Sequence, residues 1–171
     1  MGRERSIVRK GRTTSKKSPL RKVEREQDGV HGGGKVILLG VAKKPESKMT
    51  TFEKIDLVDH GIPKKDLERL KEVADLDYDQ LAKVLSVTRA TLINKKGEDR
   101  FNTTLSEKIL SLADIYSYGY EVFEDDQRFN EWIFHPNKAL GGQAPYDLLD
   151  TQFGREEIKN LIGRIDYGVY S

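Results

Sequence analysis

Three histidines, one acidic run and one glycine-rich lysine stretch are the places where this sequence could do chemistry. His31 sits among glycines, His60 precedes Gly61-Ile62-Pro63, and His135 precedes Pro136. No two of them share a helical face at metal-ligand spacing, and no carboxylate–histidine pattern joins them. The run Glu124-Asp125-Asp126 reads as a helix-to-helix connection with an N-cap. "GVHGGGKV" matches the first seven positions of a phosphate-binding loop, Gly29 to Lys35, but Val36 stands where a Ser or Thr must hold magnesium. Its glycines also precede a β-type run, whereas a phosphate loop opens a helix. With no cysteine, disulfides and thiolate chemistry are excluded. The chain is expected to bind rather than catalyse, without cofactor or metal.

A second constellation suits binding. "YDQLAKVLSVTRATLINKKG", residues 78 to 97, sets two short helices across a turn at Leu85-Ser86-Val87-Thr88. Small Ala82 allows the helices to approach, Val87 and Leu92 pin the second to the first, and Gly97 stops it. In a helix-turn-helix the second helix would present Thr88, Arg89, Thr91, Asn94, Lys95 and Lys96 outward. Arg suits guanine, Asn suits adenine, and Thr and Lys suit the DNA backbone. An ordinary helical hairpin with a solvated basic face fits the same residues.

The elements that position these groups follow from apolar spacing. From Gly61 onward the pattern is helical throughout, with roughly seven helices and no strand-period segment of comparable strength. Leu67, Leu70 and Ala74 line one helix; Asp77 and Gln80 form a capping box before Leu81, Ala82 and Leu85. A longer helix is expected from about Thr104 to Phe123, carrying Leu105, Ile109, Leu112, Tyr116, Tyr120 and Phe123 at spacings of three and four. A short helix ending near Trp132 follows, then one from Pro145 to about Gln152, and a last one from Arg155 to about Tyr167.

Charge divides the chain differently. Its overall +2 conceals a net +9 over residues 1–48 and −7 over the remainder. The first segment has few aliphatic residues and cannot offset its ordering entropy, so it reads as a disordered basic arm suited to nucleic acid or to solvation. "KVILLGV", residues 35 to 41, reads as sticky linker in preference to an edge or pairing strand. No apolar run approaches bilayer length and the basic start lacks a signal-peptide core, so a cytosolic location is expected.

"NEWIFHPNKALGGQAPYDLLDTQFG", residues 130 to 154, concentrates punctuation between helices. Pro136 is expected to stop the helix of Trp132, whose indole would anchor the core, and Asn137 to satisfy freed backbone groups. Gly141 and Gly142 allow positive φ, and Pro145 starts the next helix. Trp132 with Pro136-Asn137, Leu140-Gly141-Gly142, Pro145 with Leu148-Leu149, Gly154 and the terminal "IDYGVYS" stand in one order. In these motifs the chain from about Gly61 to Ser171 resembles the Xre-type, MbcA/ParS-like antitoxins encoded beside RES-domain toxins. The long basic arm, Phe134-His135 and Tyr146 depart from the family pattern.

The helical pattern and the resemblance together imply an all-α fold, with a helix-turn-helix bundle over residues 49–123 and a small toxin-binding domain over 124–171; composition sets the disordered basic arm over 1–48 before them. The resemblance further implies that the chain end docks on a NAD-consuming or ADP-ribosylating RES toxin and occludes its active site. Arg164, Tyr167, Gly168, Tyr170 and Ser171 would carry that contact, while the helix-turn-helix would repress the operon as a homodimer. The alternative is a solitary helix-turn-helix regulator whose last helices serve dimerisation.

Overall fold

A computed structural model describes residues 36–168. Most of the predicted basic arm, together with Tyr170 and Ser171, therefore lies outside the described residues. Among them the fold is all-α, with a single isolated bridge between Pro63 and Arg100 and no sheet. The helices are α1 (Thr51–His60), α2 (Lys64–Val73), α3 (Tyr78–Leu85), α4 (Arg89–Ile93), α5 (Thr103–Phe123), α6 (Asp126–Trp132) and α7 (Gln152–Asp166). Short 3-10 turns cover Glu46–Lys48, Lys138–Leu140 and Pro145–Leu148.

Side-chain caps explain most of the starts. Thr50 and Glu53 form a capping box on α1, and Asp77 and Gln80 form another on α3. Thr88, Asn102, Asp125 and Thr151 each accept a backbone N–H in the first turn of α4, α5, α6 and α7. The long α5 is the spine, and α1, α6 and α7 pack on it. Leu105, Ile109, Leu112, Tyr116 and Tyr120 face inward as their spacing predicts, and so do Leu67, Leu70, Leu81 and Leu92.

At the far end of α5 the core is aromatic. Phe129, fully buried, meets Tyr116, Tyr120 and Phe123 edge-on at centroid distances of 5.4, 5.6 and 5.3 Å, and stacks on Trp132 at 5.5 Å. Gly119 makes room for it, since a Cβ there would sit 2.2 Å from the Phe129 ring. Trp132 was expected to anchor the core; it is only half-buried, and Phe129 holds that place.

Several expectations need correction. Residues 36–48 are not loose linker. Leu38 and Leu39 are fully buried, and the Glu46 carboxylate, itself buried, accepts the Leu38 and Leu39 N–H groups at 3.0 and 2.7 Å. Asp66 accepts the Val41 N–H at 2.8 Å, so the strap is fastened to α2 as well. Helix α1 was not anticipated, because its exposed Phe52 and Ile55 blur the apolar stripe. The helix expected from Pro145 to Gln152 is only the turn Pro145–Leu148, and α7 begins at Gln152 rather than Arg155. Gly154 therefore does not separate two helices. It lies in the first turn of α7, where a Cβ would be 1.9 Å from the Leu148 carbonyl oxygen.

Candidate functional site

Two surfaces hold the residues singled out for binding, and one buried arginine ties them together. The first is the helix pair α3–α4. Ser86 takes the left-handed conformation at the turn (φ +53°), Ala82 is buried at the close approach, and the Val87 N–H donates to the Ala82 carbonyl at 3.0 Å. The Thr88 hydroxyl caps Thr91 N at 3.2 Å and lies 2.9 Å from the Thr91 hydroxyl, which presets both side chains.

Thr88, Arg89, Thr91, Asn94 and Lys96 are exposed, and Lys95 is half-buried. Helix α4 is shorter than predicted: it stops at Ile93, so Asn94, Lys95 and Lys96 fall in the bend that follows. The cause is local. Asp99 accepts the Lys96 N–H at 3.0 Å and pulls the chain into a turn, while Lys95 lies over the Phe101 ring at 5.9 Å. Arg89 is paired with Asp79 at 2.8 Å, so contact with another anion requires exchange of partners. Ile93, 45% exposed beside these polar groups, was not anticipated; such a side chain suits a thymine methyl.

The second surface is the end of α7. Arg164 pairs with Glu157 at 3.0 Å, and Tyr167 closes the helix with its side chain 84% exposed. Gly168 has φ +70°, a conformation that favours glycine. Behind the helix, the Tyr118 hydroxyl donates to Asp166 at 3.4 Å.

In the connection between the surfaces Asn137 and the glycines shape the turn, whereas Pro145 opens only a short 3-10 turn. Asn137 caps Ala139 N at 2.9 Å, its own N–H donates to the Gln143 carbonyl, and its carbonyl accepts Gly142 N. Gly141 and Gly142 have φ +66° and +84°, and Leu140 is buried. Pro145 opens the turn that seats Tyr146 against α3, where its hydroxyl donates to the Gln80 carbonyl at 3.3 Å.

Sequence reading missed the residue that joins these parts. Arg155 is buried and donates to the carbonyls of Val84 (2.7 Å), Leu149 (2.7 Å) and Lys108 (3.2 Å). Burial lowers its pKa, against the pull of Asp150. A signal existed: Arg155 shares an i, i+3, i+7 face with Ile158 and Ile162, so its place on the apolar side of α7 was readable. Asp114 adds a second tie, accepting from Lys54 of α1 at 2.8 Å and Lys159 of α7 at 2.6 Å.

Among the described residues no cluster of three or more His, Cys, Asp or Glu could hold a metal, and no helix is long and apolar enough to cross a membrane. His60 and His135 each bond through Nδ1 to a backbone carbonyl four residues earlier, while His31 lies outside the described residues.

Residues 53–114 match the model of the antitoxin Xre-like helix-turn-helix domain. Residues 119–168 match that of the antitoxin Xre/MbcA/ParS C-terminal toxin-binding domain, so the two matches meet within α5. The chain is similar to the Prs ADP-ribosylating antitoxin of Sphingobium sp. (strain YBL2), with 26% identity over 141 residues covering 76% of this chain and 88% of the relative. It is also similar to antitoxin Xre of Yersinia enterocolitica, with 26% identity over 129 residues covering 74% and 86%. Antitoxin Xre of Photorhabdus laumondii is 21% identical over 117 residues, covering 67% and 79%.

Proposed function

The chain belongs to the Xre-type antitoxins, and from that premise we propose that it neutralises a co-encoded RES-domain toxin in the cytoplasm and represses its own operon. The toxin is an enzyme that consumes NAD or transfers its ADP-ribose. Neutralisation is by occlusion: the chain end enters the toxin's active site and keeps NAD out. The observation that carries this reading is the end of α7. Helix α7 packs on α5, yet Tyr167 stands 84% exposed, and Gly168 beside it takes a positive φ. A large aromatic side chain held in solvent by a rigid helix is a good interface anchor, and Arg164 one turn earlier is another. Tyr170 and Ser171 complete the plug. A site made for pyrophosphate and nicotinamide offers cationic and aromatic walls to such groups.

Repression uses the exposed face of α3–α4. Thr88, Arg89, Thr91 and Asn94 meet the DNA, Lys95 and Lys96 flank them, and two copies of the chain read an inverted repeat spaced by roughly 10 bp. A solitary regulator would use the same face, but it leaves the matched toxin-binding domain without a role. Expression of the adjacent reading frame alone, then together with this chain, tests the reading. Growth arrest followed by rescue is expected; a harmless neighbour, or arrest without rescue, would overturn it.

A further inference from the structure

Beside the end of α7 lies a cleft, apart from the helix-turn-helix, lined by α5, α6, α7 and the connection between α6 and α7. Phe123 at the end of α5, Trp132 of α6, Ala139 of the connection, and Leu161 and Ile165 of α7 enclose about 540 Å³. That volume is large enough for one or two side chains of another molecule. The aromatic floor is stiff: Trp132 stacks on Phe129 and meets the Phe123 ring at 5.1 Å, and both rings are held by the buried core beneath them.

Arg128 stands on the rim with its guanidinium 6.0 Å from the centre of the Phe123 ring. Among the described residues no carboxylate lies within ion-pair distance of it, whereas Arg164 on the same rim is held by Glu157. Glu124 and Asp166 also border the cleft, and Arg128 is its cation without an ion-pair partner among the described residues. An aromatic floor beside an unpaired arginine is the composition of a strong protein–protein contact. Every lining residue falls inside the segment matched as toxin-binding, 119–168, and Ile165 and Asp166 run directly into Tyr167. The match of this whole segment to a toxin-binding domain, and its continuity with the end of α7, identify the occupant.

We propose that the cleft is a second anchor for the toxin, taking one of its apolar or aromatic side chains against Trp132 and Phe123 and a neighbouring carboxylate on Arg128. The proposal rests on the antitoxin reading and divides the work. The tail blocks the active site, and the cleft holds the two proteins together while it does so. Loss of the cleft contact should therefore weaken the complex even when the tail is absent.

The test is a calorimetric titration of the purified co-encoded toxin with the full chain, with Arg128→Glu, with Arg128→Lys and with Ala139→Trp. Ala139 is exposed, so the fold can bear the larger side chain that fills the cleft. Arg128→Glu and Ala139→Trp should each weaken binding ten-fold or more, with Arg128→Lys closer to wild type. The same losses should appear in a chain ending at Asp166, and the thermal midpoint should stay unchanged. Binding of both Arg128→Glu and Ala139→Trp within two-fold of wild type would overturn the cleft and leave the antitoxin reading standing. If the wild-type chain itself leaves the toxin unbound, that reading fails and the cleft falls with it.

Discussion

The Arg155 guanidinium, carried by α7, donates to the Val84 carbonyl at 2.7 Å, in the last turn of α3. Helix ends leave four carbonyls without intrahelical partners. Here Ser86 N serves those of Ala82 and Lys83, Arg155 serves Val84, and Lys108 serves Leu85 at 3.0 Å. The turn between α3 and α4 is thus finished by cations from α5 and α7. Ser86 adds a hydrogen bond to the Asp150 carbonyl at 3.1 Å. The toxin-binding segment is part of what shapes the helix-turn-helix.

Arg155→Met removes the donors of three carbonyls, those of Val84 and Leu149 in buried bonds. About 3 kcal/mol of stability should be lost, the scale for breaking a buried charged network. Arg155→Lys should recover only part, because an ammonium cannot span three carbonyls held in different directions. Urea unfolding gives the stability. A mobility shift on the upstream DNA should weaken in parallel, since the α3–α4 turn loses its brace.

Gly119→Ala places a methyl group inside the Phe129 ring, at 2.2 Å. Overpacking of this kind costs about 1–3 kcal/mol. Adding Phe129→Leu should give back part of the loss, so the double variant is more stable than the sum of the single changes implies. Thermal melts of the four proteins check this.

Glu46 supplies a pH dependence. Burial raises its carboxyl above the ordinary 4.5, opposed by the Leu39 and Leu38 N–H groups and by Arg69. A carboxyl raised on folding holds its proton more tightly in the folded state. Its contribution therefore falls as pH rises from 4.5 through the raised value, and is constant above it. Glu46→Gln, which keeps one oxygen for both N–H groups, should flatten that fall. Glu46→Ala leaves two buried N–H groups unpaired and should cost about 2–4 kcal/mol at neutral pH. Urea midpoints from about pH 4 to 7 separate the two variants.

Arg89 must leave Asp79 before it can reach DNA. Exposed ion pairs are worth about 0.2–1 kcal/mol, so Asp79→Asn should tighten operator binding by no more than about five-fold. Arg89→Ala and Lys95→Ala should abolish the mobility shift while toxin rescue persists. Loss of rescue in these variants would contradict the division of labour between the two surfaces.

Much of this arrangement is legible in the residues. The capping box Asp77–Gln80, the Thr88 cap and the spacing of Leu105 to Tyr120 each report a local preference that the fold keeps. Gly141 and Gly142 announce their positive φ for the same reason. The strap at residues 36–48 was not legible, because Glu46 folds it back on its own backbone and Asp66, distant in sequence, ties it to α2. The end of α4 was misread, since Asp99 redirects Lys96 from beyond the helix. Gly119 and Gly154 mark close approaches whose other halves, Phe129 and the Leu148 carbonyl, only tertiary packing supplies.

The central claim is that residues from Tyr167 to Ser171 block another protein's catalytic site. It is tested most directly by the toxin's NAD turnover in the presence of an equimolar full-length chain or a chain ending at Asp166. The full chain should suppress turnover, while the shortened chain should still bind the toxin yet leave turnover near that of the free enzyme. Equal suppression by both chains would contradict the account.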